Sequence, residues 1–369
     1  MKNLLVVVGV LMSLVSNAQS GHYHERAIEF PNVGAYLTLT TDLHQHTVFS
    51  DGSVWPTIRV EEALRDSLDA ISITDHLEYQ PHKDDIPNPD RNRSNELAIK
   101  ASKDKGLIVI RGSEITRSMP PGHSNAIFIK DANQLLIDDP MKVFVEANKQ
   151  GAFVFWNHPN WLGQSSNGIA NLSSFHQELV EKKLLHGIEV VNDLTYSEEA
   201  LQIALDHNLT IMGTSDIHDL VDWQYNVPEG GHRPVTLVFS KEKTEEGIKE
   251  GLFSGRTAVW FDHYLIGKEE YLTPLVEACI KVQSAGYIGK TSVLRVEIKN
   301  TSDADFILEN QSSYTFNTNG GVVFLKPHTT LVLEVKTKST LTSINLPFTV
   351  LNAITAPGKN AVLNLMATP

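Results

Sequence analysis

The chain has 369 residues, with 31 Lys and Arg against 44 Asp and Glu for a formal net charge of −13, 41% apolar residues and a single cysteine, Cys279. This apolar share excludes a disordered chain, one cysteine excludes a disulfide framework or cysteine-rich zinc module, and the acidic balance speaks against a long nucleic-acid partner. Histidine, at 15 residues, is about twice as frequent as an average composition gives.

Residues 1–18, MKNLLVVVGVLMSLVSNA, carry Lys2 before an apolar run and small residues at Ser16-Asn17-Ala18. That pattern predicts a secretory signal peptide cleaved after Ala18 and export to the periplasm or the medium. The run is shorter than the roughly 20 residues that span a bilayer, and no later stretch is long and apolar enough, so no membrane span is expected after cleavage.

Short apolar runs then recur at 37–43, 70–74, 107–110, 125–129, 152–156, 187–191, 209–213 and 235–239. They are rich in Val and Ile and bounded by polar residues, as buried parallel strands are. Helical patterns fill the intervals at 56–67, 94–105, 140–150, 175–183, 197–207 and 241–253, two of them opened by Pro56 and Pro140. Strands alternating with helices predict an α/β domain, and this many units over roughly 230 residues suggest a barrel. After about Tyr271 the helical periodicity fades. Alternating runs at 292–298, 306–308, 321–325, 330–335 and 361–365, separated by turn signals, predict a small antiparallel β-sandwich. The expected division is 1–18 signal, 19–271 barrel and 272–369 sandwich. The charge divides unevenly too: eight basic and six acidic residues over 272–369, leaving −16 on 19–271.

Chemistry-bearing residues stand beside almost every run of the first domain. These are His44-Gln45-His46 with Ser50-Asp51-Gly52, then Asp75-His76, Glu114, His123, Asn157-His158-Pro159 and Asp216-Ile217-His218. In a barrel the strand C-termini meet on one face, so six histidines and three carboxylates converge there. Residues i and i+2 of an extended strand share a side, which lets His44 and His46, or Asp216 and His218, serve one ion. Chance alone gives roughly 0.6 His-x-His pairs at this histidine content, so one pair means little; His22 and His24, without a neighbouring strand, are read as surface residues. The full series predicts a metal centre. Nitrogen and oxygen donors without thiolate suit zinc, manganese or iron, and nine ligands need two or three divalent ions. The remaining histidines, His82, His176, His186, His207, His263 and His328, are expected at the surface.

This series resembles the polymerase-and-histidinol-phosphatase (PHP) family over roughly 37–261. The resemblance implies a distorted (β/α)7 barrel, a di- or trinuclear metal centre and phosphoester hydrolysis. It implies that His44, His46, Glu114 and Asp216 hold one ion, Glu114, His123 and His158 a second, and Asp51, His76 and His218 a third. The segment from Glu114 through Pro121-Gly122-His123-Ser124 is more similar to secreted bacterial PHP phosphodiesterases than to histidinol-phosphate phosphatases.

The expected activity is hydrolysis of a small phosphodiester or phosphomonoester by metal-activated hydroxide. Asp75 is a candidate to orient a ligand or take a proton, and His232 to protonate the leaving group. Lys83, Arg117 and Arg233 are candidates for phosphate contact. Arg256 is read as structural, and Trp156 and Trp161, flanking His158, as pocket wall or core. Two other readings stay open. One is an amidohydrolase-like metal hydrolase, for which no lysine stands at a strand end to be carbamylated. The other is a metal-stabilised binding protein.

Overall fold

The computed structural model describes residues 27–369; the expected signal peptide and the His22/His24 pair lie outside them. In chain order the first part contains β1 (Leu37–Asp42), α1 (Pro56–Arg65), β2 (Ala70–Ile73), α2 (Arg93–Ser102), β3 (Ile108–Ile115), β4 (Ser124–Ile127), α3 (Pro140–Lys149), β5 (Phe153–Trp156), α4 (Ser174–Glu181), β6 (Gly187–Asn192) and β7 (Thr195–Tyr196). It continues with α5 (Glu198–Asp206), β8 (Thr210–Thr214), α6 (Val221–Gln224), β9 (Val235–Ser240), α7 (Glu245–Phe253), β10 (Thr257–Phe261), β11 (Tyr264–Gly267) and α8 (Glu269–Cys279). All eight apolar runs expected in the barrel domain are strands, and all six helical patterns are helices. Side chains start several of these helices by accepting from their first backbone N–H groups: Asp139 for α3, Ser173 for α4, Ser197 for α5 and Thr244 for α7.

The strands run side by side as β9-β1-β2-β3-β4-β5-β6, with β8 against the far side of β6. Pairing is parallel from β1 to β3 and from β5 through β6 to β8. The expectation of uniformly parallel strands fails at two places. β4 is antiparallel to both β3 and β5, and β9 is antiparallel to β1. The β3–β4 link holds only eight residues, too few for the crossover that a parallel neighbour needs.

Side chains, rather than a backbone ladder, close the ring between β8 and β9. The Thr236 hydroxyl accepts from Gly213 N at 2.9 Å and donates to Gly213 O at 2.7 Å, and Thr257 Oγ1 donates to Ile211 O at 2.8 Å. Gly213 is required at this seam, because a Cβ there would lie 2.2 Å from Val259. Above the strands the ring is drawn shut by His46 N donating to Ile217 O at 3.0 Å.

The C-terminal part contains β12 (Ile280–Tyr287), β13 (Val293–Asn300), β14 (Phe306–Asn310), β15 (Thr315–Phe316), β16 (Val322–Leu325), β17 (Thr330–Lys336), β18 (Ile344–Ala356) and β19 (Lys359–Ala367). Two antiparallel sheets, β12-β13-β17-β15 and β16-β14-β18-β19, form the expected sandwich. It is not a separate bead. β18 pairs in parallel with β11 through Leu265↔Ala353 and Ile266↔Ile354, so the second sheet continues the barrel's own hairpin. One apolar core runs through both parts, with Phe239, Trp260 and Leu272 in the same cluster as Phe306, Leu333 and Phe348. Helix α8 crosses the expected boundary at 271/272, where the sequence reading has helical periodicity ending. Leu272, Leu275, Val276 and Cys279 form its buried stripe, and Pro274 in its interior obscures the pattern.

Candidate metal centre

Segments at the C-terminal ends of β1, β2, β3, β5 and β8, and the loop before β4, bring all nine predicted ligand residues to one place. His44 and His46 follow β1 in extended chain, so their rings fall on the same side, with the two Nε2 atoms 3.0 Å apart. Asp216 follows β8 in the left-handed region, at φ +49. Its Oδ1 lies 3.0 Å from His44 Nε2 and 2.9 Å from His46 Nε2. Glu114, at the end of β3, is fully buried. Its Oε1 lies 3.1 Å from His123 Nδ1 and 3.4 Å from His158 Nε2, and its Oε2 lies 2.5 Å from His76 Nδ1 and 3.6 Å from His46 Nε2. Asp51 reaches His76 Nε2 and His218 Nε2, each at 3.3 Å.

The donor atoms fall into overlapping groups, His46 with Asp51, His76 and His218, His44 with His46 and Glu114, and His76 with Glu114 and His123, each within 4.8 Å. His158 joins through Glu114 and through Asp216 Oδ2 at 3.9 Å. A cation fits this arrangement on direct grounds. Each of the three carboxylates turns a buried oxygen inward, Asp51 Oδ1, Glu114 Oε2 and Asp216 Oδ1, that makes no formal hydrogen bond and faces only the ring nitrogens of the cluster. Carboxylate oxygens and imidazole nitrogens gathered this closely in a buried place suit a shared cation. Separations near 3 Å between donors are also those of ligands that share an ion at about 2.0–2.2 Å.

The charges are strongly coupled. Burial works against ionising Glu114 and Asp216, but His76 and its neighbours for the first, and His44 and His46 for the second, hold both carboxyls well below the usual range. Asp51 is lowered in the same way, with burial overcome by His218 and His76. Burial also opposes protonation of His44, yet Asp216 and Glu189 raise it above its ordinary value. His46 falls to about 4, through burial and then the positive His218 and His76.

Glu189 went unforeseen in the sequence. It is buried on β6, with Oε1 accepting from His44 Nδ1 at 2.8 Å and from Thr214 Oγ1 at 2.6 Å, and Oε2 accepting from His158 N at 2.7 Å and from Asn192 Nδ2 at 2.9 Å. The available signal was an acidic residue inside the apolar strand Gly-Ile-Glu-Val-Val-Asn. Asn157 Nδ2 donates to Glu114 Oε1 at 2.8 Å, and the Gln164 amide lies 3.0 Å from His158 Nδ1.

Several other expectations need correction. Asp75 makes no side-chain contact with the candidate ligands and reaches His46 only through Ser50, so of its two expected roles the orienting one fits and the proton-taking one does not. Its carboxylate accepts from Thr47 N, Thr47 Oγ1 and Ser50 Oγ, each at 2.7 Å, and so shapes the loop between His46 and Asp51. Arg233 is fully buried between Asp66 and Asp42, at 2.7 and 3.1 Å, and cannot bind substrate. His232 stacks on Trp260 with ring centroids 3.5 Å apart, and its nitrogens face the Arg233 and Asp262 carbonyls, so its proton is engaged away from the centre. Arg117 pairs with Glu78 at 2.8 Å and donates to Ile137 O at 2.6 Å. Lys83, by contrast, is exposed in a turn, its side chain without a hydrogen bond or ion pair among the described residues, and it stays a candidate for phosphate contact.

Arg256 is structural as expected, pairing with Glu250 and donating to Phe239 O. The two tryptophans separate: Trp156 is core and Trp161 borders the centre. His176 is not a surface residue. It is wholly buried, stacks on Trp156 at 3.9 Å and donates from Nε2 to Pro121 O at 2.7 Å, two residues before His123. His186 packs between Phe153 and Phe253.

A solved structure from Bacteroides vulgatus, a two-domain protein containing a predicted PHP-like metal-dependent phosphoesterase, is 41% identical, over 92% of this chain and 98% of that one, with a TM-score of 0.86. The chain belongs to the PHP-like metal-dependent phosphoesterases. It is a hydrolase with an α/β barrel that carries the metal-binding cluster. Residues 280–366 match the family model of an Ig-like domain, in agreement with the sandwich. More distant are a putative metal-dependent phosphoesterase from Bifidobacterium adolescentis, at 19% identity over 50% of this chain and 89% of that chain with TM-score 0.40, and an amidohydrolase from Chromobacterium violaceum, at 16% over 48% and 87% with TM-score 0.35. No curated protein matches the chain. No helix among the described residues is long and apolar enough to cross a membrane.

Proposed function

We propose that this PHP-like protein is exported and hydrolyses small phosphodiesters or phosphomonoesters at a centre of two or three divalent ions, with zinc, manganese or iron as the metals. The observation that carries the reading is the convergence of three inward-facing carboxylates and six imidazoles in one buried cluster. His44, His46, Glu114 and Asp216 would hold one ion, Glu114, His123 and His158 a second, and Asp51, His76 and His218, with His46 beside them, a third. When bound, these ions supply hydroxide near neutral pH and positive charge opposite the phosphoryl oxygens.

The chain's own part is orientation. Glu189 accepts the Nδ1 proton of His44, which leaves the Nε2 lone pair facing Asp216. Ser50 lies 3.3 Å from His46 Nδ1 and donates to Asp75, an arrangement that sets His46 in the corresponding tautomer. Glu114 sits between His76, His123 and His158 and suits a bridging role. No protein nucleophile is required. The acidic barrel disfavours long nucleic acids, whereas the cations reverse the sign locally for a small phosphoester.

The test uses the mature chain: bound metal is quantified, and bis(p-nitrophenyl) phosphate, p-nitrophenyl phosphate and an amide substrate are assayed with manganese or zinc. Metal-dependent cleavage of a phosphate ester is expected. A metal-replete protein that cleaves neither ester would sink the reading, as would full activity and full metal content in His158→Ala. N-terminal sequencing of the exported product should begin at Gln19.

A further inference from the structure

Aromatic side chains stand in the open beside the buried metal cluster. Trp161 is 51% exposed and Tyr79 is 52% exposed. The indole of Trp161 lies 5.7 Å from the His123 ring and 5.3 Å from the His158 ring, and Tyr79 lies 5.7 Å from the His76 ring. His76 and His123 are themselves 5.5 Å apart, so the two aromatics border adjacent ligands of one centre. What sets these two apart from other exposed aromatics is that each packs an edge on a candidate ligand while half of it faces solvent.

The backbone that carries the indole is held in a fixed turn. Trp161 N donates to His158 O at 2.9 Å, while Gln164 N and Ser165 N both donate to Trp161 O at 2.8 Å, closing a tight turn directly after the ligand. Gly163 allows the ring to lie over this turn, since a Cβ there would stand 2.5 Å from the indole. Leu162, 72% exposed, extends the apolar surface. Meanwhile Arg117 is engaged by Glu78 and Arg233 is buried, so neither predicted guanidinium is placed to receive a second anionic group.

We propose that Trp161, with Tyr79, seats the organic substituent of the phosphoester and selects substrates in which that substituent is planar and apolar. This rests on the phosphoesterase reading above and names its substrate class. The phosphoryl group sits at the ions and the substituent lies against the indole face, its burial adding binding that a small alkyl group cannot supply.

The test compares phenylphosphonate with methylphosphonate, two non-hydrolysable anions that share the phosphoryl end. Inhibition of p-nitrophenyl phosphate hydrolysis and calorimetric binding are both measured on the metal-loaded mature protein. Phenylphosphonate should bind about tenfold more tightly. In Trp161→Ala that preference should nearly vanish through weaker phenylphosphonate binding, with methylphosphonate unchanged, and Trp161→Phe should retain most of it. Gly163→Val, which keeps the indole but displaces it, should also lose the preference. Equal binding of the two anions by the wild type, or a preference that survives in Trp161→Ala, overturns the proposal while leaving the phosphoesterase reading intact. A metal-loaded protein that neither hydrolyses p-nitrophenyl phosphate nor binds methylphosphonate overturns both.

Discussion

Replacing Arg233 by Met separates the structural role of this residue from a substrate-binding one. The guanidinium has no exposed surface. Its Nε and Nη2 donate to Asp66 Oδ2 at 3.0 and 2.7 Å, and its Nη1 donates to Asp42 Oδ2 at 3.1 Å. Methionine fills most of the volume but removes the guanidinium that ion-pairs with both buried carboxylates. Breaking a buried ion pair from one side costs about 3–5 kcal/mol. Asp42 keeps donors from Gln45 at 2.7 Å and from the Ser215 hydroxyl at 2.6 Å, which favours the lower end. At about 2 °C per kcal/mol for a chain of this size, the melting temperature should fall by about 6 °C. Thermal melts followed by circular dichroism on the metal-loaded protein give that number, and steady-state kinetics well below the transition give KM. An unchanged melting temperature with KM raised about tenfold would refute the structural assignment and restore Arg233 as a phosphate ligand.

Removal of metal should lower stability, because only the folded state gathers the nine candidate ligands; a metal held at about a thousandfold over its Kd contributes about 4 kcal/mol, and superimposable apo and metal-loaded melts would contradict a metal centre. Thr236→Val strands the Gly213 N–H and C=O at the barrel seam and should cost about 1–3 kcal/mol for each group in urea unfolding, with faster hydrogen exchange at Gly213 as the local readout. Burial holds His176 down to about 4, below the ordinary histidine value of about 6.5. Between those values the unfolded chain takes up a proton that the folded one refuses, so the neutral histidine's contribution is complete above the upper value and is lost as pH falls toward the lower. The stability gap between the wild type and His176→Phe should therefore narrow on acidification, and a constant gap from pH 7 to 4 would show that His176 titrates normally.

Much of the site was legible before any coordinates, because ligand chemistry at strand ends is a local property of the chain. An apolar run followed by His44-Gln45-His46 or Asp216-Ile217-His218 signals both a buried strand and what hangs from its end. The less legible residues are those whose role depends on a partner far away in sequence. Glu189 reads as an oddity in an apolar strand until His44, 145 positions earlier, is seen against it. Arg233 carries the same positive charge whether it meets a substrate or the buried Asp42 and Asp66. His176 sits in a helix that looks like a surface helix, and its burial against Trp156 depends on how α4 packs.

The eight expected barrel strands with their six helices, the presence of a sandwich, and the nine candidate ligands follow from the sequence by itself, since periodicity and strand-end placement need only neighbouring residues; the β10–β11 hairpin, α8 and the long β18 do not. Tertiary structure alone decided that β4 and β9 run antiparallel, that a threonine closes the barrel, and that the sandwich continues the barrel's sheet through β11 and β18. It also decided which tryptophan borders the centre and which arginine is buried. The physical reason is that these outcomes depend on which groups meet across long separations, where burial and counter-charges are set by packing and register rather than by the identity of adjacent residues.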